Sequence, residues 1–214
     1  MGHNEYIDES LRSFLLKLGG RTPEPAGGAA LALAGASAAA LLSLACHSGA
    51  RSRAGTPAED RFAACQREAE RLSHHIQGLI EADVEAYRQV THSLRLPRDT
   101  TEQRRAREQS LDAALRTATE VPLRLAEAGL EILTAAASIC DDLEGTVLGD
   151  LGAAVHLAEA TVRGSLRNAH INLAAMSEHD SALAADEQIA DMRRRLDLST
   201  HSLSSALTEH GLPG

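Results

Sequence analysis

Apolar residues in the middle of the chain recur at steps of three and four. Leu72, Ile76, Leu79, Ile80, Tyr87 and Val90 share one helical face, and position 83 falls on that face but is an aspartate. The same period, with its punctuation, predicts helices along almost the whole chain. Ser10 to Leu18 reads as a short first helix stopped by Gly19-Gly20, followed by an extended connection, Thr22-Pro23-Glu24-Pro25. A small-residue helix runs from about Ala26 to Ser48 and is ended by Gly49 and a loop from Arg51 to Pro57. A third covers roughly Ala58 to Ser93 and stops before Pro97. A fourth is capped near Asp99-Thr100-Thr101 and continues to about Ile139, with a kink at Pro122. Asp141 to Gly149 reads as a loop, a fifth helix covers Asp150 to Met176, and a sixth covers about Ser181 to Leu207. The expectation is an all-α fold: an antiparallel up-and-down bundle of about five to six helices in one domain, 1–214.

Composition sharpens this picture. With two Phe, two Tyr and no Trp, the core has to be built from alanine and leucine at close helix spacing. Ala26 to Ala50 contains no charged residue, which raises the question of a membrane span. Its Ala, Gly and Ser content, and the ridge Gly28, Ala32, Ala36, Ala40, point instead to a buried central helix, because the other helices carry charged faces that need water. The formal charge of −9 removes the basic footprint that nucleic acid requires. Neither nucleic acid nor membrane is an expected partner. Cys46, Cys65 and Cys140 lack metal-ligand spacing and read as free, mostly buried thiols of a cytoplasmic protein. The first ten residues lack the basic and apolar regions of a signal peptide. Adjacent His74-His75 point apart on a helix, and no metal site is expected.

Asp83 is the leading candidate for chemistry. A carboxylate on an apolar face either bends back to water or an arginine, or is buried with a raised pKa and able to give and take a proton. Tyr87, one turn on, either packs in the core or faces a ligand. Asn168 and Asn172 are poor helix-interior residues unless their amides are used, for a ligand or between helices. Gly27 and Gly28 open a helix whose first N–H groups are unsatisfied; close packing is their other explanation. Asp150 and Asn168 are five helical turns apart, about 27 Å along a straight helix, and so cannot act on one atom within one chain. Asp150 reads as a helix cap unless a second subunit completes the site.

Several segments together resemble the cyclodeaminase/cyclohydrolase family, which comprises formiminotetrahydrofolate cyclodeaminases and methenyltetrahydrofolate cyclohydrolases. They are Pro23-Glu24-Pro25-Ala26-Gly27-Gly28-Ala29-Ala30-Leu31, Ile80-Glu81-Ala82-Asp83-Val84-Glu85-Ala86-Tyr87, Leu96-Pro97-Arg98, Glu120-Val121-Pro122-Leu123, Asp150-Leu151 and Asn168-Ala169-His170-Ile171-Asn172. The chain departs from the family pattern at Ala26 and Ala29, where a glycine and a serine are usual. It departs again around Gly145-Thr146 and Gly149-Asp150, where a Gly-Asn pair is usual. The resemblance implies amidine chemistry on a one-carbon tetrahydrofolate: water opening 5,10-methenyltetrahydrofolate, or ring closure with loss of ammonia. It implies Asp83 and Asp150 as catalytic, and Gly27, Gly28, Tyr87, Asn168 and Asn172 as substrate-binding. It implies neither metal nor organic cofactor, a small-molecule substrate and a homodimer. Read as a standalone chain, without an attached formiminotransferase domain, it is expected to be the cyclohydrolase. Arg163 and Arg167 either meet the glutamate tail of a folate or form a solvated face. The altered glycine–serine motif leaves two other readings: a non-folate imine or amidine as substrate, or a catalytically silent scaffold.

Overall fold

Ser10 accepts the Ser13 N–H at 3.2 Å and so caps the first helix, α1 (Leu11–Leu18), which buries Phe14 and ends at Gly19. The computed structural model describes residues 6–21, 23–177 and 179–210; Thr22 of the expected connection lies outside them, as do residues 1–5 and 211–214. Four long helices follow: α2 (Gly27–Ser52), α3 (Pro57–Leu94), α4 (Thr101–Ala137) and α5 (Val147–Ala174). A 3-10 turn at Cys140–Asp142 links α4 to α5, and α6 (His179–Glu209) closes the chain. Thr100 and Gln103 form a capping box that starts α4 where the sequence places it. Among the described residues there is no strand.

Two helix boundaries differ from expectation. Gly49 lies inside α2, with Ser52 as the last residue. A Cβ there would come within 2.3 Å of the Phe62 ring, so this glycine makes room for an aromatic rather than ending a helix. The loop before α5 is shorter than expected, because the helix begins at Val147. Asp150 is therefore in its first turn, complementing the helix dipole, and no side chain caps the helix at Thr146.

Pairs of touching residues define the topology. Gly49 meets Phe62, Gly35 approaches Ile76 and Gly28 approaches Asp83, so α2 and α3 run antiparallel. Gly35 also faces Thr161 and Leu31 faces Gly164, which sets α5 antiparallel to α2. Arg71 pairs with Glu131 and Ser93 with Ser110 across α3 and α4. Gly129 meets Val162 and Asn172 meets Ala118 across α4 and α5. These four helices close a square, and α6 lies over α4 and α5, tied by Arg195 to Glu127 and by Arg163 to Asp197. One continuous apolar core runs through all of them.

By length and composition alone, α2 is long and apolar enough to cross a bilayer. It packs between α3 and α5, and Ala32, Ala38, Ala39, Leu42, Ala45 and Cys46 are fully buried. The expected ridge holds at Gly28, Ala32 and Ala36 but not at Ala40, which is exposed. Strict steps of four advance 40° per turn relative to the helix, so the buried stripe moves on to Ala39 and Leu42.

Candidate active site

Antiparallel packing brings Gly28, Asp83, Pro122 and Asn168 to one level of the bundle, and a cavity of about 290 Å3 opens there. It is lined by the start of α2 (Ala26, Gly27, Gly28), by Asp83, Ala86, Tyr87 and Val90 of α3, and by Ala118 and Pro122 of α4. Asn168, Ile171 and Asn172 of α5 complete the wall. Six of the seven residues singled out in the sequence thus meet in one place.

Asp83 is the sole charged side chain among these lining residues. Its carboxylate accepts the backbone N–H of Ala29, the third residue of α2. No side chain of the segment before α2 caps that helix, so Asp83 supplies the missing acceptor from a neighbouring helix. Burial among apolar neighbours pushes the carboxyl pKa up, and the Ala29 bond offsets this only in part. Asp83 is half-buried and lines the cavity instead of turning out to bulk water or pairing with an arginine. Gly28 is what allows it to sit there. A Cβ on Gly28 would lie 2.0 Å from Oδ1 and 2.4 Å from Cγ of Asp83. The packing explanation therefore holds for Gly28, with the acid itself as the packed group. It fails for Gly27, where a Cβ would meet nothing within 4 Å and the backbone faces the cavity. Ala29 is fully buried and takes part through its backbone, which an alanine provides as well as a serine.

Tyr87 is 37% exposed at the cavity, so core packing does not explain it. Its hydroxyl makes no hydrogen bond among the described residues, nor does the Asn168 amide. Asn172 is different. Pro122 has no N–H, so the Ala118 carbonyl one turn earlier loses its helical partner. The Asn172 amide nitrogen donates to that carbonyl at 2.6 Å. This leaves the Asn172 side-chain oxygen as its acceptor toward a ligand. The inter-helix explanation of this asparagine holds, and α4 continues through the proline without interruption.

Asp150 does not join the group. It stands in the first turn of α5, five turns before Asn168 and at the opposite end of the bundle from the cavity. Among the described residues no three His, Cys, Asp or Glu side chains gather as metal ligands would. The cavity therefore offers one carboxyl of raised pKa, a phenol, two amides and the free N–H groups at the start of α2. That set can move a proton and orient a flat polar ring, and it suits a neutral or cationic ligand better than an anion.

The family model described as formiminotransferase-cyclodeaminase matches residues 10–191. A methenyltetrahydrofolate cyclohydrolase of Methylorubrum extorquens is 30% identical over 86% of this chain and 88% of its own length. The formimidoyltransferase-cyclodeaminase of Rattus norvegicus is 30% identical over 80% of this chain, which spans 32% of that longer protein. The crystal structure of a formiminotetrahydrofolate cyclodeaminase from Thermotoga maritima has the same fold, with a TM-score of 0.83 over 96% of this chain and 98% of that one at 19% identity. The chain belongs to the formiminotransferase-cyclodeaminase family.

Proposed function

We propose that the chain is a cyclohydrolase of one-carbon folates, opening the amidine ring of 5,10-methenyltetrahydrofolate or running the reverse closure. One observation carries this: a single, partly desolvated carboxylate in an otherwise uncharged cavity, a charge complementary to a cationic amidinium. The full-length match to a relative named as a cyclohydrolase supports hydrolysis over deamination.

Ionised Asp83 takes a proton from water as its oxygen adds to the amidinium carbon, giving a neutral tetrahedral centre. The C–N bond then breaks, and the same proton passes to the departing nitrogen. The hydroxyl proton leaves to solvent as the formyl carbonyl forms. Residual interaction with the Ala29 N–H keeps the carboxylate oriented, and a raised pKa suits a group that must both accept and donate. Asn168 and the Asn172 oxygen hydrogen-bond the edge of the pterin, Tyr87 stacks on or bonds it, and Gly27 lets the ring approach the backbone. The chemistry calls on no metal or organic cofactor.

The protein acts in this reading as a cytoplasmic homodimer. The outer face of α2 supports the dimer: Ala40 and Leu44 are exposed, Leu33 and Leu41 are half-buried, and no charge appears on the helix before Arg51. Asp150 can reach substrate only across a subunit boundary, and its catalytic role belongs to that dimer.

Purified protein mixed with methenyltetrahydrofolate should abolish the near-ultraviolet absorbance of the substrate. Asp83→Asn should slow this by about 10²–10⁴-fold, the usual loss on removing a general acid–base group. Unchanged turnover in the variant would remove Asp83 from the mechanism. Folate binding without turnover in the wild type would identify a scaffold, and no binding would identify another amidine or imine as substrate.

A further inference from the structure

The groove between α5 and α6, beside the cavity, has a charge opposite to that of the chain as a whole. It encloses about 540 Å3 over a floor of Leu166 and Leu196, with Arg163, Arg167, Arg193 and one acid, Asp197, around it. Arg163 is committed to Glu159 at 2.8 Å and to Asp197 at 3.5 Å. Arg167 and Arg193 make no ion pair among the described residues. On a protein of formal charge −9, two uncompensated guanidinium groups at one groove form a local site for an anion. The groove adjoins the cavity, since Ile171 lines both and Arg167 directly precedes Asn168.

The cavity itself disfavours an anion. Its single charge is the Asp83 carboxylate, and its 290 Å3 is at the lower end of the range for ligand pockets. A ligand with a flat head and a carboxylate-bearing tail would seat the head there and be driven by charge to send the tail elsewhere. We propose that Arg167 and Arg193 bind the carboxylates of the substrate tail and set the preference of the enzyme for substrates that carry them. This inference rests on the folate reading above and adds to it two specificity residues. Sequence reasoning marked Arg163 and Arg167 but not Arg193, because the approach of Arg193 depends on how α6 lies over α5.

The test compares kcat/KM for methenyltetrahydrofolate with that for its pteroate analogue, which lacks the glutamate. In the wild type the ratio of the two should favour the tailed substrate, through KM rather than kcat. Arg167→Gln and Arg193→Gln should each lower that ratio about tenfold, the worth of one charge-assisted hydrogen bond. Arg194→Gln, which removes the same charge from the neighbouring α6 position paired with Asp191, should leave the ratio unchanged. Inorganic phosphate should compete with the tailed substrate in the wild type and much less with the pteroate. A ratio near one in the wild type, or equal losses on both substrates in the variants, would overturn the inference while leaving the cyclohydrolase intact. Phosphate competing equally with both substrates would mark a site for a free anion instead of the tail and would also overturn it. Absence of turnover on either substrate would overturn the proposed function, and this inference with it.

Discussion

Asp83 serves two neighbours at once. It closes the start of α2 by accepting the Ala29 N–H, and it presents its other lone pairs to the cavity. Gly28 sets the spacing between these roles. In Gly28→Ala the new methyl group would occupy the position of the carboxylate, which must rotate away from Ala29. A displacement of about 1 Å in a catalytic group costs on the order of 100-fold in rate. We expect that loss in kcat with little change in Tm, since the alanine favours the helix; a fully active Gly28→Ala would show that the acid works from another position. The half-buried acid also has a signature in stability. Its pKa is raised in the folded protein, so the native state keeps the proton at pH values where the unfolded chain has released it. The stabilisation is complete below the ordinary carboxylate pKa and is lost as pH rises through the native value. Asp83→Asn does not titrate, so its Tm should rise above that of the wild type as pH increases through that window. A gap in Tm that stays constant with pH would refute the burial argument.

Pairs of helices carry the next layer of the design. Pro122 breaks the hydrogen-bond ladder of α4, and Asn172 of α5 repairs it from outside. Asn172→Ala leaves the buried Ala118 carbonyl without a partner, at a cost of about 1–3 kcal/mol. In a Pro122→Ala background the restored N–H can serve that carbonyl, and the cost of Asn172→Ala should shrink by about 1 kcal/mol, read from urea unfolding as a double-mutant cycle. Strict additivity would mean that the two residues are not linked. This pairing was invisible in the sequence, although both residues stood out in it. A proline inside a helical pattern shows that a carbonyl is freed, but not which side chain from a helix fifty residues away will take it. Helix phase, by contrast, was legible. Spacing alone put Asp83 with Tyr87 and Asn168 with Asn172 on their respective faces, and it kept Asp150 away from them. Gly49 was misread as a terminator because a glycine that yields space to Phe62 looks the same in sequence as one that ends a helix.

Over the whole molecule, the candidate features gather at one end. The cavity, the arginine-rimmed groove and the N-terminal segment held by Glu81 all lie toward the start of α2 and the later turns of α3 and α5. The far end holds the Gly55 turn, the 3-10 turn and Asp150, and has no part in the cavity. Along the outer side of α2 an uncharged face remains uncovered within one chain. Sedimentation at micromolar concentration should return twice the chain mass of 22.6 kDa, and Leu44→Glu, at a residue 49% exposed, should reduce it to one. A wild type that sediments as a single chain would rule out the dimer.

The end-stop role of Asp83 bears on how this lineage should be compared with its descendants. An acid that finishes a helix and also has the proton-moving role proposed above is retained by two separate selective pressures. A chain that had abandoned turnover would still be pressed to keep it. Tyr87 and Asn168 have no such structural employment, and their persistence or decay is the better witness to whether natural selection still sees a working catalyst.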